Sequence, residues 1–263
     1  MSDVEVPESH PRYQSLRTRH RIEAGVDKGL TSKQGLIAEG RGEAFDYLLG
    51  ERTLPSADAA ERAAAAHLLL ARHPVVSVNG TVAALVPSEV VELADVVGAD
   101  IEVNLFNRTD ERVRAIVDHL RAHGASEVKG VAGDARIPGL DHARSVVDAD
   151  GIADADVVLV PLEDGDRAEA LSAAGKTEIV VDLNPMSRSA RAAAVPVVDN
   201  IVRAVPNITA HARDLADASR TELEAIVDGF DPGAARREAE TAIRNGNLDA
   251  TDADAASGLP VDD

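Results

Sequence analysis

The chain has 263 residues, and its 46 acidic side chains against 27 Lys and Arg give a formal charge of −19 at neutral pH. It contains no cysteine, which excludes a disulfide framework and any thiolate metal site. Its apolar runs fall far short of the roughly 20 residues that a membrane-spanning helix needs, and residues 1–10 lack the apolar segment of a secretory signal. We therefore expect a soluble, cytoplasmic protein without a membrane partner.

The acidic surface is also poor in lysine, because 23 of the 27 basic residues are Arg. Such a surface is typical of adaptation to a high-salt cytoplasm, where concentrated salt screens charge repulsion to within a few Å. An acidic protein from an ordinary cell is the alternative. In both cases general nucleic-acid binding is disfavoured, because phosphate backbones need a basic face.

One segment reverses the charge, and we call residues 10–42 the basic island. It contains three acidic residues and seven basic ones, namely Arg12, Arg17, Arg19, Arg21, Lys28, Lys33 and Arg41. The arginines could form a pocket for phosphate or carboxylate groups, which Arg binds through paired hydrogen bonds. The alternative is a solvated helix whose arginines pair with the acidic remainder of the protein.

The N-terminal part, residues 10–73, is predicted to be helical after a flexible tail at residues 1–9. A helix is expected from just after Pro11 to about Gly29, because Pro suits a helix start and Gly a stop. The glycines at 35, 40 and 42 predict a turn-rich link to a short helix, Glu43–Leu49. Ser56 is expected to cap an alanine-rich helix, Ala57–Arg72.

Residues 74–205 alternate between short β-branched runs and helical patterns. The predicted strands are Val75–Val78, Ile101–Leu105, Glu127–Val131, Asp156–Val160, Glu178–Val181 and Pro196–Val198. The predicted helices between them are Ser88–Val97, Thr109–His123, Asp166–Ala174 and Ser187–Ala193. Nearly continuous apolar strands alternating with amphipathic helices predict an α/β fold with a Rossmann-like, doubly wound parallel sheet.

The C-terminal part is predicted to be helical over residues 206–246. Its three expected helices are Thr209–Ser219, Thr221–Phe230 and Pro232–Asn245. Residues 247–263 contain acidic side chains and no basic one, so we expect a disordered acidic tail there.

Polar residues follow most of the predicted strands, where parallel sheets bind their ligands. They include Asn79, Asn107, Arg108, Asp182, Asn184, Asp199 and Asn200. Each could instead serve only as a turn former or a helix cap. The run Glu163, Asp164 and Asp166 would suit Mg²⁺, or it could be a solvated acidic loop.

Several nucleotide and hydrolase motifs are missing from the sequence. It has neither GxxxxGK[ST] nor a GxGxxG after a strand, and it lacks HExxH and GxSxG. Any nucleotide would therefore be held by side chains and strand ends rather than by a glycine-rich cradle. The residues alone predict an α/β protein with an edge site for an anionic, phosphorylated small molecule.

Ten longer sequence segments allow a more specific prediction of function. In sequence and in order they resemble segments of the archaeal phosphopantothenate synthetases, the 4-phosphopantoate–β-alanine ligases. The resemblance covers roughly residues 8–230, with Thr81 and Glu39 departing from the pattern at Asn and His positions. The strings are His10–Tyr13, Ser15–Arg19, Gly40–Leu48, Val76–Gly80, Ala83–Pro87, Val103–Phe106, Ile137–Leu140, Val160–Arg167, Asp182–Pro185 and Val198–Ile201.

This resemblance implies a homodimeric, Rossmann-like ligase of coenzyme A biosynthesis that uses ATP and Mg²⁺. It would join 4-phosphopantoate to β-alanine through an acyl-adenylate, and release AMP and pyrophosphate. The enzymatic alternative is a nicotinamide-linked reductase, which the missing glycine fingerprint disfavours. A non-catalytic nucleotide-binding protein is the other alternative.

The resemblance also implies where the ligands bind. The ATP contacts fall on Arg19, Arg41, Asp182, Leu183, Asn184, Arg188, Ser189, Asn200 and Ile201. The candidates for contacts with phosphopantoate are Arg12 and Asn79. The candidates for Mg²⁺ or for the amine of β-alanine are Glu163, Asp164 and Asp166.

Overall fold

The computed structural model describes residues 7–161 and 165–246. The helices are α1 Tyr13–Asp27, α2 Lys33–Leu49, α3 Pro55–Leu70, α4 Gly80–Leu85, α5 Pro87–Val97, α6 Asp110–Ala122, α7 Gly165–Ala173, α8 Arg188–Ala192, α9 Ile201–Asp214, α10 Arg220–Gly229 and α11 Pro232–Asn245. The strands are β1 Pro74–Val78, β2 Asp100–Val103, β3 Ala135–Arg136, β4 Val146–Val147, β5 Val157–Pro161, β6 Thr177–Val181 and β7 Val195–Val197.

Five strands form a parallel sheet in the order β2-β1-β5-β6-β7, and β3 pairs with β4 in a separate antiparallel ribbon. The chain first moves outward from β1 to β2 and then returns to the other side of β1. The connections therefore diverge between β1 and β5, so this is the doubly wound topology that was predicted. In such sheets ligands bind beyond the carboxyl ends of the two strands at that point.

The central strands are apolar on both faces, because helices cover each face. Val76 and Leu159 belong to the core shared with α3, α5, α6 and α9, whereas Val75 and Val158 belong to a second core with residues of α7 and β4. Alternate residues of a strand point to opposite faces, so one apolar run supplies both cores. The packing thereby fixes the strand ends that carry the polar residues.

The N-terminal helices differ from the prediction at two points. The first helix forms as expected, but α2 begins at Lys33, so the predicted turn-rich link is helical. Its glycines allow close packing: a Cβ at Gly35 would overlap the Thr31 hydroxyl, and one at Gly42 would lie 3.1 Å from Asn200 Nδ2. In α3, Leu54 occupies the N-cap position and Pro55 begins the helix, so Ser56 is not the cap.

Three further elements differ from the prediction. The run Glu127–Val131 forms only a single parallel bridge, between Lys129 and Glu102, rather than a strand. The helix predicted at Thr209–Ser219 spans Ile201–Asp214, with Pro206 inside it. The short helix α4 was not predicted. Within the described ranges, no helix has the length and hydropathy needed to cross a membrane.

Candidate functional site

Asn79 connects the two strands at which the sheet diverges. It follows β1 directly, and its side-chain Nδ2 donates to the carbonyl oxygen of Pro161, the last residue of β5, over 3.1 Å. Its Oδ1 accepts from the backbone N–H groups of Thr81 and Val82 at 2.9 and 3.0 Å, which caps α4. The amide of Asn79 is therefore held firmly at the carboxyl edge of the sheet.

A cavity of about 300 Å³ opens at this edge, between the ends of β1 and β2 and the first turns of α2. We call it the arginine cavity, because Arg41, Arg112 and Arg144 line it together with Asn79. The described residues that line it include no Asp or Glu. In a chain of charge −19, this concentration of positive charge favours an anionic ligand.

Arg112 is held by backbone groups rather than by a carboxylate. Its two terminal nitrogens donate to the carbonyl oxygens of Leu30 and Asn107 at 3.1 and 3.0 Å. Its Nε is buried and, in the described part of the chain, has no hydrogen-bond partner. Burial lowers the pKa of this guanidinium, although Arg remains charged at neutral pH. These hydrogen bonds fix the guanidinium at the wall of the arginine cavity before any ligand binds.

A second cavity of about 400 Å³ lies between α2, α11 and the loop after β6, and we call it the Leu183 cavity. Its apolar wall is formed by Phe45, Leu48, Leu183, Pro185, Met186 and Ile243. The loop is shaped by Asp182, whose carboxylate accepts from the Ser187 hydroxyl at 2.6 Å and from the Asn184 N–H at 3.0 Å. An apolar wall with polar groups at its edge suits a flat, polar-edged ring such as a purine.

Arg41 lines both cavities. It lies on α2 with an exposed side chain, and among the described residues it has neither a hydrogen bond nor an ion pair. A guanidinium at this position can contact groups in either cavity. Of the residues predicted from the sequence, the structure brings Arg41 together with Asn79 in one cavity, and with Asp182, Leu183 and Asn184 in the other.

Arg12 and Arg19 meet at a shared carboxylate. Both form ion pairs with Glu43 on α2, and Arg19 Nε donates to Glu43 Oε2 over 2.8 Å. The hydrogen bond from Arg19 lowers the pKa of Glu43 and raises that of Arg19 itself. Half of the Arg19 side chain is exposed, so a polyanion could take over these donors.

The remaining predicted residues occupy other surroundings. Arg188 forms ion pairs with Asp166 and Glu169 at 2.6 and 2.8 Å, which raise its pKa, and Ser189 is buried in α8. Asn200 and Ile201 are buried at the start of α9, where Asn200 donates to Asp46 Oδ2 at 3.0 Å. Neither lines either of the two cavities. The predicted ligands Glu163 and Asp164 lie outside the described residues.

The sequence interpretation missed Arg112 and Arg144. A signal for Arg112 was present, because it is a basic residue in the first turn of a predicted helix, where the helix dipole disfavours positive charge. No local pattern marks Arg144, whose place at the cavity depends on the fold of residues 135–147.

Comparison with known proteins identifies the family. Residues 56–246 match the model of the phosphopantothenate/pantothenate synthetase family. Three relatives carry the name 4-phosphopantoate–β-alanine ligase. The protein of Thermococcus kodakarensis is 58% identical over 88% of each chain. That of Thermococcus onnurineus is 56% identical over 92% of this chain and 93% of its own, and that of Methanosarcina mazei is 52% identical over 92% and 95%. The chain belongs to the phosphopantothenate/pantothenate synthetase family.

Proposed function

We propose that this protein is an ATP-dependent ligase that joins 4-phosphopantoate to β-alanine and forms 4′-phosphopantothenate, AMP and pyrophosphate. Family membership and the relatives' names support this reaction. The observation that carries this proposal is the position of Arg41, which lines both the Leu183 cavity and the arginine cavity. A reaction between ATP and a phosphorylated acid needs such a cation where the two anions meet.

The nucleoside of ATP is assigned to the Leu183 cavity. Its base would pack on Leu183, while Asp182 and Asn184 would bind the ribose or the edge of the base. Arg19 and Arg41 would contact phosphates, which Arg binds in bidentate fashion. In this assignment Arg188 and Ser189 lie just after the loop that follows β6. The buried residues Asn200 and Ile201 begin α9, and Asn200 holds α2 through its hydrogen bond to Asp46.

The phosphorylated acid is assigned to the arginine cavity. Its phosphate would bind Arg112 and Arg144, which leaves its carboxylate near Arg41 and Asn79. Arg12 remains a candidate for a further contact, because it shares Glu43 with Arg19. This placement separates the phosphate of 4-phosphopantoate from the ATP phosphates and brings only the reacting groups together.

The acid must be activated before it can form an amide, because a free carboxylate offers an amine only a poor leaving group. The carboxylate oxygen attacks the α-phosphorus of ATP, and the bond from that phosphorus to the bridging oxygen breaks with loss of pyrophosphate. The uncharged amine of β-alanine then attacks the acyl carbon, AMP leaves with the electron pair of the broken bond, and the nitrogen releases a proton to solvent. Arg41 can align the anions and stabilise the negative charge that develops during the first transfer.

Mg²⁺ is expected with ATP, since it prefers one or two carboxylates together with phosphate oxygens. Asp166 is a candidate whose carboxylate is 59% exposed, and it would exchange its ion pair with Arg188 for the metal. Glu163 and Asp164 remain candidates from the sequence, for the metal or for the amine of β-alanine. The ion would neutralise phosphate charge and favour pyrophosphate as the leaving group.

The proposal extends to a homodimer in a salt-rich cytoplasm. Ile37 and Tyr47 on α2 are 76% and 79% exposed, and a second copy of the chain would cover such side chains. The charge of −19 with few lysines supports the high-salt environment. Size-exclusion chromatography with light scattering tests the dimer.

AMP formation tests the reaction. The protein is incubated with ATP, Mg²⁺, 4-phosphopantoate and β-alanine, and each component is omitted in turn. AMP that appears at full rate only in the complete mixture supports the ligase. Oxidation of a reduced nicotinamide, or nucleotide binding without turnover, would instead support one of the two alternatives.

A pair of variants on α6 tests the assignment of the arginine cavity. Arg112→Ala should raise the KM for 4-phosphopantoate at least tenfold, because a buried charged hydrogen bond contributes about 1.5–3 kcal/mol. The KM for ATP should change little. Arg114→Ala is the control, since Arg114 is an exposed residue two positions away. Equal effects of the two variants would contradict the assignment.

A further inference from the structure

Three side chains with metal-ligating groups meet outside both cavities. Asp58 and Glu61 lie one turn apart on α3, and His211 lies on α9. One ligand atom of each lies within 4.8 Å of the others. The Nε2 atom of His211 is 3.0 Å from Asp58 Oδ1. We call these three residues the α3–α9 cluster.

Glu61 gives the cluster an unusual buried carboxyl group. Its residue exposure is 0%, and its Oε2 accepts from Asn207 Nδ2 at 3.0 Å. Its Oε1 is buried and has no hydrogen-bond partner among the described residues. Burial raises the pKa of Glu61 to about 9. A buried carboxyl oxygen without a partner is costly, unless a ligand satisfies it.

The charged side chains that the structure describes near Glu61 form their ion pairs with one another and not with its Oε1 atom. Arg203 is the nearby cation, but it forms ion pairs with Asp46 and Asp199 at 2.7 and 2.6 Å. Asp199 also accepts from the Thr53 hydroxyl at 2.6 Å and adds negative charge on the same side of Glu61. The local charge is therefore negative even after Arg203 is counted, which favours a cation at the cluster.

We propose that the α3–α9 cluster binds one divalent transition-metal ion of the Zn²⁺ class, which joins α3 to α9. One imidazole nitrogen and two carboxylates are suitable ligands for Zn²⁺, and they leave a position for water. The ion would take the buried Glu61 carboxylate as a ligand. The His211 Nε2–Asp58 Oδ1 distance of 3.0 Å already suits two ligands of one ion. The other separations reach up to 4.8 Å, so His211 and the 62% exposed Asp58 would shift toward Glu61 when the ion binds.

The imidazole distinguishes this site from the acidic surface. Mg²⁺ prefers oxygen ligands, whereas Zn²⁺ binds imidazole well. The experiment is therefore a calorimetric titration of the chelator-treated, full-length protein with Zn²⁺, without ATP and in excess Mg²⁺. We expect one tight site per chain, and a rise in the melting temperature when Zn²⁺ is added.

Two variants remove the ligands one at a time. Since the loss of an outer hydrogen-bond partner of a metal ligand already weakens binding about 10–100-fold, Glu61→Gln should weaken Zn²⁺ binding at least tenfold. Asp58→Asn should also weaken Zn²⁺ binding, by a smaller factor than Glu61→Gln. Because Asp58 is exposed, this variant leaves the core packing intact and keeps the test valid if Glu61→Gln does not fold.

His73→Gln is the matched control. His73 Nε2 lies 2.9 Å from Asp100, but its second carboxylate, Asp154, contacts the other ring nitrogen, so the two do not converge on one point. This variant should keep the tight site. The proposal fails if the wild type binds Zn²⁺ no more tightly than Asp58→Asn, or if His73→Gln loses the site equally.

Discussion

The side-chain amide of Asn79 donates to the carbonyl oxygen of Pro161 over 3.1 Å, and this hydrogen bond joins the ends of β1 and β5. The same side chain caps α4 through its oxygen. One residue thus holds together the strand ends at which the sheet topology diverges, and it also lines the arginine cavity. Its structural and functional roles can be separated by comparison with another helix cap.

Asn79→Ala should lower the free energy of unfolding by about 1–3 kcal/mol, because it removes a helix cap and a second hydrogen bond. It should also lower kcat/KM for 4-phosphopantoate about tenfold, through loss of a cavity contact. Ser219→Ala removes the capping box of α10, far along the chain. It should cost about 1 kcal/mol of stability without changing kcat/KM. If it lowers activity as much as Asn79→Ala, the effect on activity is only structural.

Removing single arginines of the basic island should separate binding from surface charge. Arg41→Ala and Arg19→Ala should each lower kcat/KM for ATP at least tenfold, since a guanidinium–phosphate contact that the bound nucleotide shields from water is worth about 1.5–3 kcal/mol. Arg21→Ala is the control, because Arg21 donates to Leu85 O at 2.6 Å and lies near Glu89. It should affect stability more than ATP use. Steady-state kinetics with circular dichroism measures both, and identical behaviour of the three variants would make the island a solvated face.

The five strands of the parallel sheet and most helices could be predicted, because apolar runs and amphipathic spacing report burial directly, whereas the run Glu127–Val131 forms no strand and β3 and β4 were not predicted. The exceptions depend on tertiary contacts. The glycines of α2 indicated turns, yet Gly35 and Gly42 serve close packing against Thr31 and Asn200. Helix α9 continues through Pro206, and Asn200 supplies its cap.

The site could be predicted only in part, for a similar reason. Strand-end polarity and the family strings pointed to Asn79, Arg41 and the loop at Asp182, which do line the two cavities. Arg144 reaches the arginine cavity from a segment without regular periodicity, so no local pattern marks it. The buried positions of Asn200 and Ile201 also depend on how α2 packs on α9.

Glu39 should make the stability of the protein depend on pH. It is 7% exposed, and burial raises its pKa from 4.5 to about 7. Between these values the folded protein holds a proton that the unfolded chain releases, so the free energy of unfolding falls as the pH rises. Above pH 7, Glu39→Gln should be more stable than the wild type by at most about 3 kcal/mol.

The gain from Glu39→Gln should shrink toward zero as the pH falls to about 4.5, because both side chains are then uncharged. Urea denaturation at several pH values measures this difference. Glu23→Gln, at an exposed position on α1, should follow the wild-type profile. A pH-independent gain, or the same gain in both variants, would contradict the role of buried Glu39.

Salt should control the stability of the whole protein. At about 10 mM salt the Debye length is about 30 Å, so the charges that give −19 repel one another across the molecule, whereas at 1 M it is about 3 Å. Surface ion pairs such as Arg213–Glu92 weaken in salt, but exposed pairs contribute at most about 1 kcal/mol each. Relief of the net repulsion should therefore dominate, and the melting temperature should rise steeply from millimolar to multimolar KCl.

Melting curves followed by circular dichroism measure this rise. Sucrose at low salt is the control, because it stabilises compact states without screening charge. Equal midpoints at low and high KCl, or full recovery in sucrose alone, would contradict the charge-based explanation.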